Sequence, residues 1–194
     1  MARYNNIAFN GTLVLALGAS AGFNKIFIMG GPFDTGINTA DTWNLNLKAE
    51  GTRERFDAVL PIEDFSVPRD EMEVRVALED AIYQALSGKI IVVGCMGGMG
   101  RTGLFLALLA KAAGYEEPVQ FVREFYFKHA VETDDQKLYV KEFDVSWAPA
   151  FIRQTYLEVN DVRPVTVIHE APAQIKNPGF FGKLANWWNL NFAR

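Results

Sequence analysis

Two residues set the first question. Cys95, the only cysteine of the chain, and Arg101 lie in the stretch GCMGGMGRTG, positions 94–103. An apolar, β-branched run at 90–93 stops at this stretch, and a second apolar run follows it. The stretch carries five glycines, Gly94, Gly97, Gly98, Gly100 and Gly103. Glycine tolerates positive φ and lets the backbone approach a ligand closely. A tight loop that enters a helix turns several N–H groups into one hollow, with the helix dipole behind them, and so forms an anion site. Phosphate is the natural guest. A nucleotide-binding loop would place Lys followed by Ser or Thr after its last glycine; here Arg101 and Thr102 follow Gly100. A guanidinium can hold two phosphate oxygens with its planar fork. A thiol among amide dipoles and cations is favoured as thiolate, which is the nucleophilic form. A thiolate under a bound phosphate is aimed at phosphorus.

The surrounding pattern supplies elements to hold such a loop. Short apolar runs at 13–17 and 26–29 read as buried strands bounded by Gly, Ser and Asn. Residues 30–55 read as a polar loop with a short helix around 41–47, and 56–60 as another strand. A loop at 61–68 precedes a helix from Asp70, where Val74, Leu78, Ile82 and Leu86 recur on one face and Gly88 follows as a stop. The run 90–93 has the character of a central strand covered on both faces. Residues 102–113 form an apolar helix ending at Gly114. Further helices are expected at 119–129, 134–143 and 149–159. Strands alternating with helices predict an α/β domain with a mainly parallel, mixed sheet of four to five strands flanked by helices. Ligands of such sheets bind where strands pass into helices, and 94–103 is such a junction.

Composition narrows the class. With 194 residues, 49 % of them hydrophobic, the chain can bury one sizeable core. Its net charge of −4 argues against a nucleic-acid partner. One cysteine forms no internal disulfide, so a reducing, cytoplasmic setting is the expectation. No apolar run reaches the ~18 residues of a membrane span. We read 1–160 as one catalytic domain, and 161–194 as an extended linker followed by a helix. Phe180, Phe181, Leu184, Trp187 and Trp188 fall at helical spacing in that tail. Such a helix docks on its own domain, binds a protein partner, self-associates or touches a membrane surface.

The motif CMGGMGRTG resembles the CxxGxxR[ST]G signature of cysteine-dependent protein tyrosine phosphatases, in their compact dual-specificity branch. Two further stretches strengthen the resemblance. LPIEDFSVP, 60–68, is similar to that branch's general-acid loop, with Asp64 in the place of the acid, 31 residues before Cys95. HAVETDDQKLYVKEF, 129–143, is similar to the segment after the signature helix, with Gln136 matching a glutamine that positions the hydrolytic water in some relatives. The resemblance implies a CX5R phosphate loop between strand and helix. Met96, Gly97, Gly98, Met99, Gly100 and Arg101 would form it. It also implies a two-step reaction without metal or cofactor. Cys95 takes the phosphoryl group while Arg101 and the loop amides hold its oxygens. Asp64 protonates the leaving oxygen and then, as base, activates water against the phosphocysteine. Thr102 eases departure of the thiolate. The family usually has histidine before the nucleophile; Gly94 stands there.

The alternative readings of these residues are plainer. A cysteine by itself is commonly a small buried hydrophobe, but the glycines and Arg101 around Cys95 argue for chemistry. Asp70 is the rival acid and equally a helix N-cap. Glu63 reads as solvated, His129 and His169 match no catalytic position, and Met96 and Met99 are adaptable filler. Phosphorylated protein is the expected substrate. A phosphoinositide or an RNA 5′-phosphate is the alternative, the first disfavoured by the lack of basic residues among 96–100 and the second by the lack of a basic stripe. A non-catalytic phosphate-binding module is the alternative from another class.

Overall fold

The computed structural model describes residues 11–17, 24–32, 39–51 and 56–160. The expectations for 161–194 lie outside the described residues. Five strands, β1 (Gly11–Leu17), β2 (Asn24–Pro32), β3 (Thr42–Lys48), β4 (Ala58–Ile62) and β5 (Ile90–Cys95), form one sheet in the order β1-β2-β5-β3-β4. The β1–β2 pair is antiparallel, whereas β5 runs parallel to β2 and β3, and β3 parallel to β4. The helices are α1 (Glu71–Leu86), α2 (Gly100–Ala112), α3 (Pro118–Phe125), α4 (Asp134–Glu142) and α5 (Ala148–Val159).

β5 sits in the middle because its sequence can be covered on both faces. Ile91, Val92 and Val93 point alternately to opposite sides, yet all are fully buried. Helices α1 and α2 both pack on it, α1 together with α5, and α2 together with α3 and α4. Helix α1 begins where Asp70 caps it, its carboxylate accepting from Met72 N at 2.7 Å. That bond settles Asp70 as a cap. Helix α4 starts with a capping box of Thr133 and Gln136. Its C-terminal end is tied to α2 by Lys111, whose Nζ donates to the carbonyls of Val140, Lys141 and Phe143 at 2.7–2.9 Å.

One expectation fails. Residues 41–47 do not form a short helix: 42–48 are strand β3, next to β5 in the sheet. The sequence TWNLNLK alternates, but its polar face misleads, because Thr42, Asn44, Asn46 and Lys48 are buried as fully as Trp43, Leu45 and Leu47. Part of that polar face is met by hydrogen bonds. Asn44 donates from its backbone N and from Nδ2 to Asp57 Oδ2, at 2.7 and 3.0 Å, and Lys48 N donates to Asn46 Oδ1 at 3.1 Å. Buried polar groups are tolerated when so satisfied.

Candidate active site

The segment between β5 and α2 is a loop that curls around the sulfur of Cys95. Cys95 is 2 % exposed. Its Sγ accepts hydrogen bonds from Gly98 N and from Thr102 Oγ1, each at 3.2 Å. Gly98 has φ +68°, a conformation costly for residues with a Cβ, so glycine is needed at this point of the curl. Helix α2 begins at Gly100 with no side-chain cap, so its first amides are turned towards the loop. A phenol fastens the loop from below: Tyr126 Oη donates to Gly98 O at 2.5 Å.

A pocket of about 160 Å³ opens above the sulfur. The loop contributes Cys95, Met96, Gly97, Met99, Gly100 and Arg101 to its walls, and Asp64, Phe65 and Glu132 complete it. Most of the residues expected from the sequence therefore meet in one place. Gly98 and Thr102 bond the sulfur instead of lining the walls. Gln136 lies beside Gly100, behind the pocket's lining: it is fully buried, its Oε1 accepts from Glu132 N at 2.9 Å, and its Nε2 donates to Ser66 O at 3.1 Å. It joins the acid loop to the start of α4 and does not line the pocket. Glu63 is exposed and pairs with Arg69.

Arg101 is the most constrained charge in the site, with 1 % of its side chain exposed. Nη1 donates to Glu50 Oε2 at 2.6 Å and to Ile62 O at 3.0 Å. Nη2 donates to Glu50 Oε1 at 2.9 Å and lies 2.9 Å from Asp64 Oδ1. Burial opposes the guanidinium charge, yet the hydrogen bond to Glu50 and the fields of Cys95, Glu50 and Asp64 outweigh it and hold its pKa above the ordinary value. The hydrogen bond from Arg101 holds the Glu50 carboxyl below its ordinary value, although partial burial works the other way.

Sequence reasoning missed Glu50, Tyr126 and Glu132. A signal existed for the first: a buried arginine requires a carboxylate partner, and Glu50 follows closely on the misread strand β3. Nothing in the sequence marks Tyr126 or Glu132.

Two side chains near the pocket carry positive φ without being glycine. Phe65, 62 % exposed at the pocket mouth, has φ +57°, and its N donates to Asp64 Oδ1 at 3.2 Å. Val131, fully buried just before Glu132, has φ +58°. A β-branched residue in this region is a genuine outlier, worth of order 1–3 kcal/mol of strain. Arg123 holds it there, donating from Nε to Ala130 O and from Nη2 to Val131 O, each at 2.9 Å.

Among the described residues no group of three or more His, Cys, Asp or Glu is placed to hold a metal, and no helix is long and apolar enough to cross a membrane.

No protein-family profile matches the chain. Two uncharacterized proteins of Methanocaldococcus jannaschii, MJECL20 and MJ0215, are 40 % and 39 % identical to it over 84 residues, 43 % of the chain. Those residues amount to 56 % and 52 % of the two proteins, so the match spans about half the length of these curated relatives. Among solved structures, the chain is similar to Tk-PTP in its active form, at TM-score 0.49 and 22 % identity, over 62 % of this chain and 91 % of that one. It is similar to the kinase associated phosphatase at TM-score 0.49 and 15 % identity, over 69 % and 94 %. It is similar to DUSP15 at TM-score 0.45 and 13 % identity, over 80 % and 98 %.

Proposed function

We propose that this chain is a phosphomonoester hydrolase that works through a phosphocysteine, with residues 1–160 as the catalytic domain and phosphorylated protein as substrate. One observation carries the reading: Cys95 and Arg101 line the same pocket, with a carboxylate, Asp64, at its wall. Two hydrogen bonds into Sγ suit a sulfur that carries negative charge. In a loose transition state the phosphoryl oxygens gather charge, which Arg101 and the loop amides would stabilise.

The first step forms the Sγ–P bond and breaks the P–O ester bond. Asp64 gives its proton to the leaving oxygen as that bond breaks. In the second step water gives one proton to a carboxylate of the pocket and displaces the thiolate from phosphorus, and Thr102 Oγ1 stabilises the departing sulfur through the bond it already makes. Glu50 acts on Arg101, holding the guanidinium in place with a hydrogen bond to each of its Nη atoms.

The walls favour a phosphorylated side chain over a polyanionic lipid or nucleic acid. Arg101 is the single cation among the pocket's residues, and two carboxylates, Asp64 and Glu132, stand beside it. Phe65 and Met96, both largely exposed at the mouth, offer apolar surface to an aromatic or aliphatic ester. A lone reactive thiol also requires a compartment where thiols stay reduced.

Hydrolysis of phosphotyrosine, phosphothreonine and phosphoinositide substrates by the full chain, against Cys95→Ser, tests this reading. Cys95-dependent turnover of phosphopeptides is expected. Turnover confined to phosphoinositides overturns the substrate class.

A further inference from the structure

The pocket holds a second carboxylate, Glu132, to which the proposed mechanism gives no task. A negative charge there opposes binding of a phosphate dianion, so its benefit has to come at another step. Asp64 is engaged, with Oδ1 against Arg101 Nη2 and accepting from Phe65 N. The Glu132 carboxylate makes no hydrogen bond or ion pair among the described residues. It lies directly against Gly100, where any Cβ would collide with Oε2. Its backbone is held on both sides, by Arg123 clamping the strained Val131 and by Gln136 Oε1 accepting from Glu132 N. Gln136, the residue expected to place water, is fully buried and outside the pocket's lining, with Oε1 accepting from Glu132 N and Nε2 donating to Ser66 O.

We propose that Glu132 is the base of the second step, on the premise that the chain is a phosphatase. It takes a proton from the water that attacks the phosphocysteine. The water oxygen bonds to phosphorus, the S–P bond breaks with its electron pair going to Cys95 Sγ, and hydrogen phosphate leaves. Glu132 then returns its proton to solvent. The two carboxylates divide the work: Asp64 protonates the leaving group in the first step, and Glu132 deprotonates water in the second.

The test is rapid-mixing kinetics of the full chain with para-nitrophenyl phosphate, comparing wild type with Glu132→Gln and Glu132→Ala. Both variants should release the first para-nitrophenolate as fast as wild type. Steady-state kcat should then fall about tenfold or more, with KM falling in parallel. Acid-quenched variant protein should carry a phosphoryl group on Cys95. Wild-type turnover by Glu132→Gln overturns the proposal, as does slowing of the first release in step with kcat. A rise in kcat/KM without phosphocysteine accumulating overturns it too, and makes Glu132 merely repulsive. These outcomes, with an active wild type, sink this inference alone. An inactive wild type sinks the phosphatase reading and this inference with it.

Discussion

Asp64 and Arg101 are in direct contact, Oδ1 lying 2.9 Å from Nη2. Three Nη hydrogens of Arg101 are directed at the two Glu50 oxygens and at Ile62 O. The fourth makes no hydrogen bond to Asp64, whose contact is an ion pair, so a phosphate that binds the guanidinium side-on would use it. Phosphate and Asp64 would then compete for the charge of one guanidinium. Asp64 is 57 % exposed, so the pair is worth at most about 1 kcal/mol. Asp64→Ala should bind vanadate about two- to fivefold more tightly than wild type. Titration by inhibition or calorimetry measures this, and equal or weaker binding contradicts the competition.

Glu50 should matter for stability as well as for activity. Removing it leaves a buried guanidinium short of its two-pronged partner. Loss of a fully buried partner costs about 3–5 kcal/mol; Glu50 is one-third exposed, so about 2 kcal/mol is expected of Glu50→Gln near neutral pH. The pH dependence has a definite sign. Because the folded-state pKa of Glu50 lies below its ordinary 4.5, its contribution is present above that value and is lost as the pH falls through the lower folded value. Urea unfolding of wild type and Glu50→Gln should thus differ most at neutral pH and converge in acid. A gap that stays constant with pH contradicts the assignment.

Tyr126 couples the sheet to the loop after β5. Tyr126→Phe removes the bond to Gly98 O and should cost about 1–2 kcal/mol and lower turnover. Gly30→Ala attacks the same contact from the other side, since its Cβ would come within 2.7–2.8 Å of the Tyr126 ring and Oη. Overpacking of this kind costs about 1–3 kcal/mol. Both act through one ring, so the double variant should be less destabilised than the sum of the single ones. Chemical denaturation of the set decides it, and strict additivity would show that the two changes act independently.

Much of this site is legible in the sequence because it is local. Cys95, the glycines and Arg101 lie within one turn of chain, and a strand-to-helix junction forces them to share a hollow. Asp64 was reachable only through the resemblance of LPIEDFSVP to a known acid loop, and the Asp70 cap by its place ahead of an apolar period. What escaped depends on tertiary packing. Strand β3 was hidden because its polar alternation reads as surface, whereas helices cover both faces of the sheet and bury Asn44 and Asn46. Glu50, beyond that strand, could not be joined to Arg101 until β3 lay beside β5. Gln136 has the right neighbourhood and a different occupation, because Thr133 ahead of it makes a capping box that takes its side chain. Glu132 reaches the pocket through the left-handed Val131, a conformation no residue type there announces.

The most direct test of the account is to trap the covalent intermediate. Wild-type protein mixed with para-nitrophenyl phosphate and quenched in acid should yield a peptide bearing one phosphoryl group on Cys95, and Cys95→Ser should neither form it nor release para-nitrophenolate. Undiminished hydrolysis by Cys95→Ser, or a phosphoryl group on any other residue, would contradict it.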